Sequence, residues 1–189
     1  MPGEPNSIFS EILFKSYKKK IIQKFNRPIL IIGSERLFRK QMKQLKYSIK
    51  IEKVNPTNLK NLNLNKKNIN IINVDYKFKK VFDRISNKSN KYINDCFKIA
   101  LKLLNEKSAF GLINGPVSKT HFLEKKYLGI TEYLATKVRA KKKPTMLIYN
   151  SYFSVCPITT HLPIKQVAKN LSKIKIVNDV MNINFFYKK

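Results

Sequence analysis

Cysteine is scarce in this sequence, since Cys96 and Cys156 are the only two among 189 residues. Two cysteines so far apart exclude a disulfide-rich scaffold and argue against a cysteine-based zinc site. Each lies within an apolar stretch, where a free thiol usually behaves as a small hydrophobic side chain. We therefore expect both to be core residues.

Long apolar runs are also missing. No run approaches the roughly 18 apolar residues of a membrane-spanning helix, and no apolar segment precedes a small-residue cleavage site near the amino terminus. These absences predict a cytoplasmic protein with no membrane partner.

Acidic residues are few, because 11 Asp and Glu stand against 39 Lys and Arg, which gives a formal net charge of +28. Counterion release makes such a charge bind phosphate backbones, so a basic RNA-binding protein is one interpretation. The lysines, however, are scattered through every segment, and no RNA-binding fingerprint is present. We therefore expect the charge to steer anionic substrates rather than to bind nucleic acid.

Glycine occurs five times. Gly33-Ser34 is not followed by glycines at the spacing of a dinucleotide fingerprint, which argues against a glycine-rich phosphate loop there. The surrounding residues instead predict a β-α-β run: an apolar strand over 28–33, a helix from Ser34 to about Leu45, and an alternating strand over 48–54. Such a run forms parallel sheets through right-handed crossovers.

Further elements follow from hydrophobic periodicity and from capping residues. They are a helix from Ser7, a strand over 70–76, a helix over 89–107, a short helix over 164–171 and a last helix that Ser172 caps. The last helix is expected to turn Ile174, Val177, Val180 and Met181 inward, whereas the apolar residues 185–187 are expected to be exposed.

The stretch from Phe110 to Pro163 contains polar loops that follow apolar runs. Residues 109–113 predict a short buried strand, which Gly115-Pro116 breaks before a helix that begins near Ser118. Apolar blocks at 145–149 and 152–158 end in a similar loop at 159–163. In open α/β sheets, ligands bind at the carboxyl ends of strands, so these loops are the candidate site.

The loops also carry the motifs of a known family. The sequence resembles the 4-hydroxythreonine-4-phosphate dehydrogenases of vitamin B6 biosynthesis at four motifs in the right order: Pro2-Gly3-Glu4-Pro5, Asn114-Gly115-Pro116-Val117-Ser118-Lys119, Gly129 with Thr131-Glu132-Tyr133-Leu134-Ala135, and Thr159-Thr160-His161-Leu162-Pro163. Four ordered matches are far more specific than any one of them.

The resemblance implies a three-layer α/β/α fold with a mostly parallel sheet, like that of the isocitrate and isopropylmalate dehydrogenases. It implies that residues 1–189 are the N-terminal α/β portion of a two-domain fold, with the second domain absent from this chain. The family builds its site between two domains and across a homodimer. The expected partner is therefore a second copy, or a second chain that supplies the C-terminal half.

The implied activity is an NAD- or NADP-dependent oxidation assisted by a divalent metal (Zn, Mg or Co). In the family, the carbon that bears the 3-hydroxyl of 4-phosphooxy-threonine gives a hydride to the nicotinamide. The 3-keto acid then loses its carboxylate and yields 3-amino-2-oxopropyl phosphate, on the route to pyridoxal phosphate. The expected substrate is thus a small phosphorylated amino acid.

The resemblance assigns a few residues as well. His161 matches a metal-binding histidine of the family, although a catalytic zinc needs about three protein ligands. Thr131 matches a threonine that contacts substrate. Lys119 stands at the predicted helix start beside Gly115-Pro116, where it is either a contact for the substrate phosphate or one of many solvated lysines. Glu4 and Glu132 are candidates for orienting ligands. The catalytic and cofactor-binding residues are not predicted.

Ile130 departs from the family motif, because the family has a substrate-contacting histidine at this position. An isoleucine neither donates nor accepts a hydrogen bond. The departure keeps open a related dehydrogenase that acts on 4-phospho-threonate or on a dihydrodiol, and also an inactive fragment. The second histidine of the chain, His121, matches no family ligand and is expected on a helix surface.

Overall fold

The computed structural model describes residues 1–61, 63–140 and 144–188. The chain divides into two compact units, Met1–Lys126 (unit 1) and Tyr127–Lys189 (unit 2). Unit 1 contains the parallel sheet and almost all of the buried hydrophobic residues, whereas unit 2 consists of helices and one short strand pair.

Unit 1 is an alternation of strands and helices. In chain order it contains α1 (Phe9–Lys18), β1 (Leu30–Gly33), α2 (Glu35–Gln44), β2 (Ile51–Lys53), β3 (Ile69–Asn73) and α3 (Asn90–Asn105), with 3-10 turns at Ile22–Lys24, Pro56–Asn61 and Asn87–Ser89. Each strand and helix predicted between residues 28 and 107 is therefore present, with ends that differ from the predicted ones by at most three residues.

The sheet of unit 1 is parallel, with β3 between β1 and β2. Ile31 pairs with Ile71 across β1 and β3, and Ile51 pairs with Ile69 across β2 and β3. Parallel strands need a crossover connection, which α2 supplies between β1 and β2. The predicted α/β class with a parallel sheet is confirmed.

Both faces of this sheet are buried. One face places its isoleucines in a cluster with side chains of α1 and α2, among them Phe14, Phe38 and Met42. Successive residues of a strand point to opposite faces, so Ile32 and Ile72, both buried, lie on the other face. Because α3 packs against β1, helices cover the sheet on both sides, as in a three-layer α/β/α fold.

The two serines predicted to cap the first helices behave differently. Ser34 caps α2 as predicted, since its hydroxyl accepts a hydrogen bond from the Leu37 N–H at 3.3 Å. Ser7 does not cap α1, because the helix begins at Phe9 and the Ser7 hydroxyl accepts from the Phe9 N–H at 3.3 Å. The predicted helix is thus correct, but its start at Ser7 is wrong by two residues.

Residues 109–113 are not a strand, and the prediction of a buried strand there is wrong. Phe110 is 81% exposed and Ile113 is 72% exposed. A strand needs a neighbouring backbone along its length, whereas in this segment the Ile113 carbonyl accepts a hydrogen bond from the Met1 amino group at 2.6 Å. Apolar composition alone therefore did not make this segment a strand.

The helix predicted from Ser118 is also absent, since residues 119–127 form consecutive turns. The Ser118 hydroxyl accepts from the His121 N–H at 3.0 Å, and the Ser118 carbonyl accepts from the N–H groups of Phe122 and Leu123. The second of these bonds spans five residues and widens the turn, so the regular i to i+4 pattern of an α-helix does not start.

Unit 2 contains α4 (Ile130–Lys137), β4 (Ile148–Tyr149), β5 (Ser154–Val155), α5 (Ile164–Asn170) and α6 (Lys173–Tyr187). The apolar blocks at 145–149 and 152–158 contain β4 and β5, which pair with each other in antiparallel register and are exposed. As predicted, Ser172 caps the last helix, because its hydroxyl accepts from the Lys175 N–H at 3.2 Å.

The inward face predicted for α6 is wrong. Ile174, Val177, Val180 and Met181 are all exposed, with Ile174 at 74%. Within the described residues of unit 2, Tyr133 is the only buried hydrophobic side chain, so the unit offers α6 no layer to pack against. The prediction that residues 185–187 are exposed is confirmed. In the described part of the chain, no helix is both long and apolar enough to cross a membrane.

The two cysteines differ in environment, which supports a labelling experiment. Cys96 is fully buried, as expected, and burial raises its pKa to about 12. Cys156 is not a core residue, because its side chain is partly exposed, although burial raises its pKa as well. We expect a thiol reagent at mildly alkaline pH to modify one cysteine per native chain, and the second only in denaturant, because the thiolate is the reactive form. The Cys156→Ser variant should lose the fast reaction; two fast thiols in the native protein would contradict the burial of Cys96.

Candidate functional site

Two of the four family motifs lie side by side in unit 1. The Glu4 N–H donates to the Pro116 carbonyl at 2.8 Å, and the Gly115 N–H donates to the Met1 carbonyl at 2.9 Å. Both motifs need glycine at the contact: Gly3 has a φ of +73°, and a Cβ on Gly115 would lie 1.9 Å from the Pro2 carbonyl oxygen. The amino-terminal loop is therefore held by the backbone of residues 113–116.

Glu4 is 2% exposed and its carboxylate is occupied by protein groups. Its Oε2 accepts from the Ser89 hydroxyl at 2.7 Å, and its Oε1 accepts from the Asn6 N–H at 3.2 Å. These bonds join the amino-terminal loop to the start of α3. The structure thus gives Glu4 a positioning role for the loop, and its prediction as a residue that orients ligands stays a prediction.

A buried polar group beside the loop was not singled out from the sequence. The Tyr92 hydroxyl accepts from the Ser34 N–H at 3.0 Å at the carboxyl end of β1, and burial raises the pKa of Tyr92 well above its usual range. Tyr92 and Cys96 occupy i and i+4 positions on α3, a spacing that predicts core packing. Helical spacing of apolar residues carries no signal for the tyrosine's hydrogen bond.

Lys119 and His121 lie in the turns after the second motif, in unit 1. Lys119 is exposed and forms no ion pair within the described residues. His121 is not on a helix surface, because no helix forms there. Its Nδ1 lies 3.1 Å from the Asn87 side-chain oxygen, and its carbonyl accepts from the Asn90 amide at 2.8 Å. His121 therefore ties this turn to the start of α3.

The third motif forms the start of α4 in unit 2. Gly129 is its N-cap in an extended conformation, and Ile130, Thr131 and Glu132 make the first turn. The first N–H groups of a helix have no intrahelical partner and carry partial positive charge, which attracts anions. Thr131 is half-buried there and adds a hydroxyl, whereas Ile130 adds only an apolar side chain.

Glu132 already occupies part of this positive end. A Cβ built on Gly129 would lie 3.1 Å from the Glu132 Oε2, which places the carboxylate beside the N-cap. A carboxylate in the first turn of a helix stabilises it by neutralising the dipole. A substrate anion at this helix would therefore meet Thr131 and backbone N–H groups, but it would compete with Glu132.

His161 lies in the loop between β5 and α5 and is exposed. Its φ of +60° is unusual for a residue other than glycine and costs about 1 kcal/mol or more. Within residues 1–61, 63–140 and 144–188, no group of three His, Cys, Asp or Glu side chains is arranged to hold a metal. His161 is thus at most one ligand, and the described residues by themselves do not fit a divalent metal.

The predicted site residues are divided between the units. Ile130, Thr131 and His161 belong to unit 2, and no hydrogen bond joins Thr131 to His161 among the described residues. Lys119 belongs to unit 1. The assignments to substrate and metal therefore stay predictions.

Comparison with known proteins decides the family. The model of the pyridoxal phosphate biosynthetic protein PdxA matches residues 24–189. The chain belongs to the PdxA family. This confirms the family predicted from the four motifs.

Relatives of this PdxA-family chain are named 4-hydroxythreonine-4-phosphate dehydrogenases. It is 32% identical over 188 residues to a 4-hydroxythreonine-4-phosphate dehydrogenase of Sulfurihydrogenibium sp.. The match covers 98% of this chain and 56% of the relative. It is 22% identical over 183 residues to one of Bacteroides thetaiotaomicron, and that match covers 95% of this chain and 49% of the relative. The PdxA-family chain thus spans about half the length of these relatives.

Solved structures share the fold. A 4-hydroxythreonine-4-phosphate dehydrogenase from Klebsiella pneumoniae matches with a TM-score of 0.80 and 19% identity, over 98% of this PdxA-family chain and 56% of that chain. One from Burkholderia phymatum matches with a TM-score of 0.81 and 18% identity, over 95% of this chain and 54% of that chain. At these identities the likeness establishes the fold.

Proposed function

We propose that this chain provides the N-terminal half of a 4-hydroxythreonine-4-phosphate dehydrogenase in vitamin B6 biosynthesis. The observation that carries the proposal is the 32% identity to a relative of that name over 98% of the chain. The reaction would be the NAD- or NADP-dependent oxidation of 4-phosphooxy-threonine, followed by decarboxylation to 3-amino-2-oxopropyl phosphate.

The contribution of this half is binding and positioning. At the start of α4, Thr131 and the free N–H groups of the first turn would bind an oxyanion of the substrate. The excess of positive charge would speed the encounter with a phosphorylated substrate, an effect that falls as salt rises. Lys119, exposed after the second motif, would add a point charge.

The rest of the site would come from the other half of the fold. A divalent metal would supply polarisation of the substrate's hydroxyl oxygen, but the described residues offer His161 and no completed ligand group. Gly33 is also the only glycine near the carboxyl end of β1, so no dinucleotide loop is present there. Ligands and cofactor contacts would therefore be provided by residues beyond those described.

The exposed apolar side chains of unit 2 support such a partner. In α6 alone, Ile174, Met181, Phe185 and Phe186 are each at least 60% exposed. Contiguous apolar surface on a protein usually marks an interface. We propose that the C-terminal half of the fold, on the same chain or on a second one, covers this surface, and that the family's homodimer forms only then.

The test combines the full chain with a polypeptide that carries the C-terminal half of the Sulfurihydrogenibium relative. Reduction of NAD or NADP is followed with 4-phosphooxy-threonine in the presence of zinc, magnesium or cobalt. We expect no turnover from the chain alone and turnover from the mixture. Turnover only with 4-phospho-threonate or a dihydrodiol would replace the substrate, and no turnover with any of them would favour the inactive fragment.

Two substitutions in that mixture test the residues. His161→Asn should lower activity by about a hundredfold, because loss of a metal ligand costs at least as much as loss of a group that orients one. His121→Asn is the matched control and should keep activity within about twofold, since the role of His121 is to hold a turn against α3.

Ile130→His should raise kcat/KM for 4-phosphooxy-threonine, because a histidine can form the hydrogen bond that isoleucine cannot. An unchanged value would mean that Ile130 does not limit binding of this substrate.

A further inference from the structure

A lysine-lined cavity lies at the amino edge of the sheet in unit 1. Its volume is about 340 Å³, and its lining includes Lys18, Lys46, Lys50 and Lys67 together with Tyr17 and Tyr47. Small-molecule sites range upward from about 300 Å³, so this half-open cavity lies at the lower end of that range. None of the four family motifs contributes a lining residue.

The topology separates this cavity from the candidate site. Lys50 immediately precedes β2, and Lys67 lies two residues before β3. Lys18 ends α1, and Lys46 follows the end of α2, which returns the chain to the amino ends of the strands. Ligand sites of open α/β sheets lie at the opposite, carboxyl edge. This cavity would therefore be a second site.

Its positive charge is poorly compensated. Within the described part of the chain, the ion pair between Lys50 and Glu52 at 2.8 Å is the only one at the cavity. The Lys18 ammonium lies 5.8 Å from the centre of the Tyr47 ring, where an aromatic face attracts a cation but does not neutralise it. Lysines that line one cavity raise its local positive potential, and a bound anion would lower it.

Helix dipoles explain only part of this arrangement. A lysine at the end of a helix is stabilised by the partial negative charge there, which accounts for Lys18 and contributes to Lys46. Lys50 and Lys67 precede strands, so no helix dipole accounts for their place at this cavity. The φ of Lys46 is +57°, a left-handed conformation that fixes where its side chain leaves the backbone.

Tyr17 contributes to the cavity wall through a side chain that is almost fully buried. It is 4% exposed, and its hydroxyl has no hydrogen-bond partner among the described residues. Burial raises the pKa of Tyr17 to about 12, so the hydroxyl keeps its proton and remains a donor. The hydroxyl oxygen is closed off from solvent, so Tyr17 shapes the cavity wall, and the lysines would make the contacts with an anion.

We propose that this cavity binds a small phosphorylated anion that carries at least two phosphate groups, such as a diphosphate. Lysine binds phosphate as a flexible point charge, and three lysines without a carboxylate partner match more than one phosphate. Because the cavity lies in unit 1 and uses no motif residue, the proposal holds whether or not the proposed dehydrogenase activity does.

Calorimetric titration of the full chain with inorganic pyrophosphate at near-physiological salt tests this proposal. The double variant Lys46→Gln/Lys67→Gln should raise the dissociation constant at least about tenfold, because it removes two of the charges. The matched control is Lys88→Gln/Lys107→Gln. Lys107 has a φ of +55° after α3, so both variants remove equal charge and replace one left-handed lysine.

Three results would overturn the proposal. Equal weakening in the two double variants would indicate a response to net charge alone. Equal affinity for pyrophosphate and for inorganic phosphate would mean that no second phosphate is recognised. A short RNA that binds with dependence on Lys46 and Lys67, while pyrophosphate does not bind, would assign the lysines to a nucleic acid backbone instead.

Discussion

Gly115→Ala is expected to destabilise unit 1 by about 3 kcal/mol or more, as forced overpacking against fixed backbone does. The new Cβ would lie 1.9 Å from the Pro2 carbonyl oxygen and 2.7 Å from the Pro2 carbonyl carbon. The Phe9 ring, also 2.7 Å away, can move aside, but the Pro2 backbone cannot. Hydrogen bonds to residues 113–116 hold it on both sides, from Met1 and from Glu4.

Gly111→Ala is the matched control, because a Cβ at Gly111 meets no atom within 4 Å. We expect its stability to stay within about 0.5 kcal/mol of the wild type. Urea unfolding gives the free energies, and the labelling rate of Cys96 in the Cys156→Ser background reports on unit 1 separately. If Gly115→Ala and Gly111→Ala were equally stable, the amino-terminal loop would not lie against residues 113–116.

Local signals predicted most of unit 1 well. Ser34 follows an apolar strand and precedes an amphipathic segment, so a cap and a helix were readable from sequence alone, and the hydrogen bond to Leu37 confirms the cap. The isoleucines of β3 are buried on both faces, as in other parallel sheets, and their run of apolar and polar residues still predicted a strand. In these segments propensity and packing agree.

The failures arise where a segment depends on distant partners. Ile174 and Val177 recur at helical spacing, which correctly predicts α6, but burial needs an opposing layer that the described residues of unit 2 lack. Ile113 looks apolar enough for a strand, but its carbonyl accepts a hydrogen bond from the Met1 amino group instead of from a neighbouring strand. Periodicity reports which face of an element is apolar and says nothing about whether another element covers it.

The candidate site was only partly predictable for a similar reason. The motifs identified Thr131 and His161 by residue type, and the structure places them at a helix start and in an exposed loop. Spacing carried no information on Glu4 and Ser89, which lie 85 residues apart and share a 2.7 Å hydrogen bond. The sequence also could not predict the amino-edge cavity, because its lysines are scattered along the chain and only the fold brings them together.

The second large effect is expected from Phe14→Ala, which should destabilise unit 1 by about 3 to 5 kcal/mol, the usual cost of truncating a buried phenylalanine. Phe14 is fully buried. Its ring centre lies 5.8 Å from that of Phe38 in an edge-on arrangement, and 5.8 Å from that of Tyr47. Truncation would remove these contacts and leave a cavity between α1, α2 and the sheet.

Phe110→Ala removes the same side chain from an exposed site and should cost less than about 1 kcal/mol, because Phe110 is 81% exposed and contacts mainly the Arg27 guanidinium, 3.8 Å from its ring centre. Urea unfolding of both variants compares the two positions directly. Apolar neighbours on both sides of Phe110 predicted a buried strand, so a cost near that of Phe14→Ala would restore that prediction. A small cost would show that residues 109–113 stay outside the core in solution.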